Sequence, residues 1–172
     1  MKPAQRLIFG FLGLLSAGLL ALFALHRNSA ISTDIWIDSP PQAVWKILTD
    51  TADYPSWNPE ISRLDGPLRV GQAFEMVEGS GPDAMVFHPT LLALQPDREL
   101  RWKGYVGIPG IFDGEHRFLL EAVGGRTHLI QDEKFSGILA GRLTQEINQD
   151  TIEHMQAMNR ALKKRLEPSS TP

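Results

Sequence analysis

The stretch GEHRFLLEAVGGRTHLIQDEKFSG, residues 114–137, decides how this chain folds, because it predicts a β-hairpin whose register is fixed. Gly124 and Gly125 at its centre tolerate positive φ angles, which a tight two-residue turn requires at both positions. Such a turn makes Val123 face Arg126. Every earlier residue of the first strand then acquires one partner on the second strand.

The two faces of this predicted hairpin differ in character, which supports the register. The outward face mostly sets acidic side chains against basic ones, in the pairs Glu121–His128, Leu119–Ile130, Arg117–Asp132 and Glu115–Lys134. The inward face is mostly apolar, with the pairs Ala122–Thr127, Leu120–Leu129, Phe118–Gln131 and His116–Glu133. Cross-strand pairs of these kinds stabilise antiparallel sheets. The register therefore predicts one polar pair, His116 with Glu133, on the inner side of the sheet.

The composition narrows the classes of protein to consider. The chain has 172 residues, of which 22% are charged, and its formal net charge is -3. It has no Lys/Arg cluster with interleaved aromatic residues, so nucleic acid is not predicted as a partner. The absence of cysteine excludes disulfides, thiol catalysis and cysteine metal sites. The histidines form no HxH or HxxxH motif, and we predict neither a metal nor another cofactor.

Residues 7–25, LIFGFLGLLSAGLLALFAL, form an uncharged and mainly apolar run that predicts a transmembrane helix. Basic residues and the terminal amine precede the run, so the positive-inside rule predicts a cytoplasmic N-terminus and a domain outside the cytoplasm. Because no Ala-x-Ala cleavage site follows, we interpret residues 1–30 as an uncleaved signal anchor in the membrane. The alternative is a signal peptide that is removed, which would leave a secreted protein.

Beyond residue 30 the chain predicts a strand, a helix, several strands and a second, long helix. Ser39 is a suitable N-cap for the first helix, and Pro40 and Pro41 suit its first turn. The aromatic segment 54–59 contains two prolines and is interpreted as a bent, non-helical stretch. Strands are predicted before the hairpin at residues 31–38, 61–64, 72–78, 84–94 and 99–106. Pro89 indicates a bulge or an edge position within one of them.

The last predicted element is a long helix with one continuous apolar face. That face consists of Leu143, Ile147, Thr151, Met155, Met158, Leu162 and Leu166. Pro168 ends the helix, and residues 168–172 are predicted to be a disordered tail. An apolar helix face of this length requires a broad apolar surface to pack against. We predict an α+β fold in which a curved antiparallel sheet of about six to seven strands wraps around the C-terminal helix.

Several short motifs follow one another along residues 31–166. They are Ser39-Pro40-Pro41 with Val44-Trp45, Tyr54-Pro55-Ser56-Trp57-Asn58-Pro59, Glu99-Leu100-Arg101-Trp102, Gly114-Glu115-His116-Arg117-Phe118, Gly125 with Thr127, and Glu133-Lys134-Phe135-Ser136-Gly137. In this order the motifs resemble the START-like helix-grip superfamily (SRPBCC), in particular its polyketide cyclase/dehydrase and lipid-transport branch. The resemblance implies a helix-grip domain over residues 31–167, with a cavity between sheet and helix that takes small hydrophobic molecules or lipids.

In such a cavity His116 and Glu133 would orient a ligand or act as acid and base. The other candidate ligand-binding residues are aromatic, apolar or amide side chains: Trp57, Trp102, Phe118, Leu120, Leu129, Gln131, Phe135, Met155 and Met158. Core packing is the alternative interpretation for these, and a purely structural hydrogen-bonded pair is the alternative for His116 with Glu133.

The apolar loop that precedes the hairpin is a candidate gate for the cavity. It contains Ile108, Ile111 and Phe112, whose exposure costs solvation free energy unless they cover something. Its glycines allow hinge motion. The alternatives are an ordinary loop over the end of the sheet, or contact with lipid in an anchored protein.

Three functions are consistent with these features. The first is a membrane-tethered, non-enzymatic domain that binds a small hydrophobic molecule or lipid. The second is a cyclase/dehydratase-type enzyme with His116 and Glu133 as acid and base. The third is a structural or partner-binding domain with a filled core. An enzyme of this type needs several convergent polar groups, and the sequence offers His116, Glu133 and Gln131, so we favour binding.

Overall fold

The strands of this domain form two antiparallel sheets that face a long C-terminal helix. A computed structural model describes residues 16, 18 and 28–167. The strands are β1 (Ser29–Ile37), β2 (Ile61–Asp65), β3 (Glu75–Glu78), β4 (Met85–Phe87), β5 (Thr90–Gln95), β6 (Glu99–Tyr105), β7 (Asp113–Val123) and β8 (Arg126–Ser136). The helices are α1 (Pro41–Thr49), α2 (Tyr54–Trp57) and α3 (Ala140–Leu166), with single 3-10 turns at Thr51–Asp53 and Gly81–Asp83.

The sheet is divided, whereas the sequence predicts one sheet of six to seven strands. One sheet has the order β1-β8-β7-β6-β5 and the other the order β2-β3-β4. Residues 71–74 run against residues 89–91 and join the two sheets along a seam. There the N–H groups of Gly71 and Phe74 donate to the carbonyls of Leu91 and Pro89, at 2.8 and 3.1 Å. The two sheets thus form one curved surface, and the α+β helix-grip architecture is confirmed.

Pro89 explains why the sheet is divided. The predicted strand 84–94 is wrong as a single element, because its first part, β4, pairs with β3 while its second part, β5, pairs with β6. A proline has no N–H group to donate to a sheet ladder, so the strand cannot continue through Pro89 with regular pairing. Pro89 is fully buried beside Gly104, where an added Cβ would lie 3.6 Å from the proline Cβ.

The register of the β7–β8 hairpin is confirmed at every predicted pair, from Val123 opposite Arg126 to Glu115 opposite Lys134. Gly124 and Gly125 have φ angles of 59° and 82°, as a turn with two positive φ angles requires. β1 pairs with the other side of β8, where Ser29 faces Phe135 and Ile37 faces Thr127. The hairpin therefore lies in the middle of the larger sheet.

The first helix begins differently from the prediction. Pro40, and not Ser39, occupies the N-cap position of α1, and no side chain caps the helix. The carbonyl of Ser39 instead accepts a hydrogen bond of 2.7 Å from the Thr127 hydroxyl, which ties the start of α1 to the hairpin. The segment predicted to be non-helical contains one helical turn, α2, whose Tyr54 and Trp57 are buried.

The C-terminal helix packs unevenly along its length. In its second half Met158 and Leu162 are buried, and the Asn159 amide donates a hydrogen bond of 3.0 Å to Thr33 of β1. In its first half Ile147 and Thr151 are only partly buried, although they belong to the predicted apolar face. Space consequently remains between the sheets and the first half of α3.

The predicted membrane segment, residues 7–25, lies outside the described residues except for residues 16 and 18, and so does the predicted tail, residues 168–172. Within the part of the chain that the structure describes, no helix is both long and apolar enough to cross a membrane.

Candidate functional site

A cavity of about 490 Å³ occupies the space under the first half of α3. Its floor is formed by buried side chains, Met76 and Trp102 from the two sheets and Met155 from the helix. Its mouth is marked by lining residues that are exposed to solvent, among them Met85, Tyr105 and Val106. The other lining residues are Glu60, Glu78, Gly79, Asp83, Phe87, Pro89, Gly104, Phe112, Gly114, His116, Glu133, Phe135, Ile147, Asp150, Thr151 and His154.

His116 and Glu133 meet in the wall of this cavity, as the hairpin register predicts. The Nδ1 atom of His116 lies 2.5 Å from Oε2 of Glu133, and both side chains are mostly buried. The Trp102 ring stacks on the imidazole with centroids 5.0 Å apart, and the Phe118 ring contacts it at 4.8 Å. These rings hold the imidazole in place. Its Nε2 atom is buried and has no hydrogen-bond partner among the described residues.

Gly114 makes room for the carboxylate of that pair. A Cβ atom at this position would lie 2.7 Å from Oε1 of Glu133, which is closer than van der Waals contact allows. Any larger residue would displace the carboxylate away from His116. The sequence alone does not predict this role of Gly114, because the contact depends on the position of a side chain on the neighbouring strand.

Glu78 is a further titratable group in the cavity, and it is not among the site residues predicted from the sequence. Burial raises the pKa of Glu78, and the nearby carboxylates of Glu133 and Glu60 raise it further, while His116 and His154 oppose the shift. The strand alternation contained the signal, because Glu78 shares one face with Met76 and Phe74, both of which are buried. A carboxyl group on an apolar strand face indicates a functional site or a cavity.

The raised pKa of Glu78 predicts a specific pH dependence of stability. The folded protein binds this proton more tightly than the unfolded chain, so stability falls as the pH rises from the ordinary glutamate range through the folded pKa. We expect Glu78→Gln, which cannot ionise, to raise the free energy of unfolding at pH 7 and to leave it nearly unchanged near pH 4. Urea unfolding across this pH range measures the difference.

The control for this measurement is Glu75→Gln, which removes a carboxylate on the opposite face of β3 that pairs with Arg63. This variant should not be stabilised at pH 7. A Glu78→Gln effect that stayed constant across the pH range would contradict the assignment of Glu78 as the titrating group.

The charges around the cavity are predominantly negative. Besides Glu78 and Glu133, the lining includes the carboxyl side chains of Glu60, Asp83 and Asp150. The Nδ1 atom of His154 lies 3.5 Å from Oε2 of Glu60 at the surface. No Lys or Arg belongs to the lining in the described part of the chain. A bound anion would therefore find carboxylates around it and no fixed cation.

The structure separates the predicted ligand-binding residues into two groups. Those that line the cavity are Trp102, His116, Glu133, Phe135 and Met155. Those that pack in the core, outside the cavity lining, are Trp57, Phe118, Leu120, Leu129, Gln131 and Met158. Within the second group, the Gln131 amide contacts the Met158 sulfur at 3.2 Å in the second half of α3. The cavity does not extend that far.

The predicted gate loop is tied to the structure at both ends. Val106 N–H donates to the Phe112 carbonyl at 2.9 Å, and Leu139 N–H, just before α3, donates to the Ile111 carbonyl at 2.9 Å. Phe112 stacks on Phe135 with centroids 5.4 Å apart and lines the cavity. Ile108 is 68% exposed, Ile111 is half-buried, and neither lines the cavity. A gating role for the loop stays a prediction.

Comparisons with solved structures show the same fold in proteins of low sequence identity. A START superfamily protein from Mycobacterium smegmatis is 20% identical, with a TM-score of 0.62 over 83% of this chain and 97% of that chain. The ZhuI aromatase/cyclase from a Streptomyces species is 13% identical, with a TM-score of 0.62 over 85% of this chain and 100% of that chain. Ara h 8.0201 is 15% identical, with a TM-score of 0.64 over 81% of this chain and 98% of that chain.

The family comparison is more specific than these structural likenesses. No curated protein sequence matches the chain significantly. The family model described as "Polyketide cyclase / dehydrase and lipid transport" matches residues 30–167, which is most of the chain. The match covers both sheets and helices α1, α2 and α3. The chain therefore belongs to the polyketide cyclase/dehydrase and lipid transport family, and it shares its fold with the START superfamily protein.

Proposed function

We propose that this domain binds a small, mainly apolar and uncharged molecule or lipid in the cavity under α3, and that residues 7–25 hold it at a membrane. The cavity is the observation that carries the proposal. Its volume of about 490 Å³ falls within the range of small-molecule sites, and its floor is apolar. A domain with a filled core would lack such a space.

The polar groups of the cavity are suited to bind a ligand that has one hydrogen-bonding group. Nδ1 of His116 is engaged by Glu133, so its buried Nε2 retains unmet hydrogen-bonding capacity. A hydroxyl or carbonyl group of a ligand would satisfy this atom, and leaving it unpaired costs free energy. The remaining ligand surface would contact apolar side chains such as Met76 and Met155.

The negative lining predicts selection against anionic ligands. Two photoreactive diazirine probes of equal chain length, one a fatty alcohol and one a fatty acid, test this with the full chain in phosphatidylcholine nanodiscs. We expect the alcohol to crosslink to cavity peptides at least about tenfold more than the acid, since a carboxylate there is repelled by carboxylates such as Asp83 and Asp150. Mass spectrometry of the crosslinked peptides measures the ratio.

The matched controls are two tryptophan substitutions on α3. Thr151→Trp places a large ring in the cavity and should abolish labelling, whereas Gln145→Trp is on an exposed position outside the lining and should not. Labelling that survives Thr151→Trp would contradict binding in this cavity. Equal labelling by both probes would contradict only the selection against anions.

A second candidate function, acid–base catalysis, is favoured by the convergence of Glu78 with His116 and Glu133. His116, oriented by Glu133, would remove the proton next to a carbonyl group of the substrate. Glu78, whose pKa is raised by burial, would protonate a leaving hydroxyl. The products are a carbon–carbon double bond and water. Conversion of a medium-chain β-hydroxyketone that is lost in His116→Ala would support this reaction, and equal rates in both proteins would exclude it for this substrate.

A further inference from the structure

Exposed apolar side chains lie on one side of the cavity mouth and on the adjoining loop, while Asp83 and Asp150 are exposed elsewhere in the lining. This apolar rim consists of Met85, Tyr105, Val106, Ile108 and Leu139, which are 41% to 68% exposed. Three of its members, Met85, Tyr105 and Val106, also line the cavity. Large apolar side chains gathered at one place on a surface mark a site of contact with an apolar partner.

The rim is held in a defined shape before any partner binds. The loop that carries Val106 and Ile108 is closed by a hydrogen bond across its base, and the carbonyl of Gly110 accepts a second bond, of 3.0 Å, from Ile138 N–H. The carboxylate of Asp113 accepts a bond of 2.7 Å from Gly110 N–H and pairs with Lys103 at 3.0 Å. The Asp113 carboxylate at the base of the loop is thus neutralised by Lys103.

The chain enters the domain at the same end of the sheet as the rim. Ser29, the first residue of β1, pairs with Phe135, and Phe135 pairs on its other side with Gly114, just after the loop. Neighbouring strands lie about 5 Å apart, so Ser29 lies about 10 Å from Gly114. The backbone between residues 25 and 29 spans at most about 14 Å. An apolar run that ends at residue 25 within a bilayer therefore keeps this end of the sheet at the membrane surface.

From this geometry we propose that the apolar rim docks on the lipid bilayer that holds residues 7–25, so that the cavity opens directly toward the lipid. The proposal rests on the membrane tether in the proposed function. The bilayer is favoured over a protein partner because the tether leaves the rim close to lipid at all times. A ligand that dissolves in the membrane then reaches the cavity without crossing water.

The absence of cysteine permits a direct test with single cysteine substitutions in the full chain. Val106→Cys lies on the rim, and Val123→Cys lies at the hairpin turn at the other end of the sheet, with original exposures of 55% and 48%. Ser16→Cys places a label within residues 7–25 and measures whether that segment lies in the bilayer. Each is labelled with an environment-sensitive fluorophore and reconstituted into phosphatidylcholine vesicles that contain nitroxide-labelled lipids.

We expect the label at residue 106 to be quenched at least about threefold more strongly than the label at residue 123. Strong quenching at residue 16 with equal, weak quenching at residues 106 and 123 would overturn the docking and leave the tether intact. No quenching at residue 16 would overturn both. Excimer emission from a pyrene label at residue 106 would show that a second copy covers the rim, which also overturns the docking.

Discussion

Replacing Phe118 by alanine should lower the free energy of unfolding by about 3 to 5 kcal/mol, as expected for a buried phenylalanine. Phe118 is fully buried, and its ring contacts the rings of Trp102 and His116 at centroid distances of 5.6 and 4.8 Å. The truncation leaves a hole in the core and removes one of the two rings that hold the imidazole. Urea unfolding measures the loss of stability.

The same variant tests whether Phe118 belongs to the core or to the ligand site. Phe118→Leu, which nearly preserves the volume, should cost less than about 1.5 kcal/mol. If Phe118→Ala lowered probe labelling of the cavity while unfolding with wild-type stability, our assignment of Phe118 to the core would be wrong.

Replacing Gly137 by alanine should destabilise the domain by about 3 kcal/mol, through backbone strain and lost hydrogen bonds. Gly137 has a φ angle of 115°, and an added Cβ would lie 2.6 Å from the carbonyl oxygen of Ile111 and 2.9 Å from that of Gly110. Both carbonyls accept hydrogen bonds from the residues that lead into α3. The methyl group would force the loop away from the helix start. Urea unfolding again measures the cost.

Gly125→Ala provides the matched control. Gly125 also has a positive φ angle, 82°, but nothing lies within 4 Å of an added Cβ. Its substitution should cost only the left-handed backbone penalty, about 1 to 2 kcal/mol. Equal losses in the two variants would show that the contact with Ile111 contributes nothing.

Local patterns in the sequence were enough to predict the central hairpin and the class of fold. The Gly124-Gly125 turn and the opposed charges such as Arg117 and Asp132 each depend on residues close in sequence, and together they fix the register. The division of the sheet could not be predicted from such local patterns. Pro89 was identified as an irregularity, but its effect depends on which strands pair beside it, and this is decided by packing across the whole domain.

Only the part of the site that lies on the hairpin could be predicted from the sequence. His116 and Glu133 were placed correctly because their contact follows from one register. Gln131, on the inward face of the hairpin, and Trp57, as an aromatic side chain suited to a pocket wall, are predicted with them, but periodicity does not reveal where along α3 the packing becomes loose. Glu78 stands out as a carboxyl group on an apolar strand face, but its proximity to His116 cannot be predicted locally because its strand belongs to the other sheet.

Pro89 also bears on the size of molecule that the domain can accommodate. One wall of the cavity, with Met76 and Glu78, belongs to the three-stranded sheet, and the opposite wall, with His116, belongs to the five-stranded sheet. The two walls are linked at the seam, where Pro89 donates no backbone hydrogen bond. The seam is instead closed by the bonds from Gly71 and Phe74 N–H to the carbonyls of Leu91 and Pro89, and these bonds hold the two walls together. The seam therefore limits the width of the cavity, because a ligand too wide for it would have to break these hydrogen bonds.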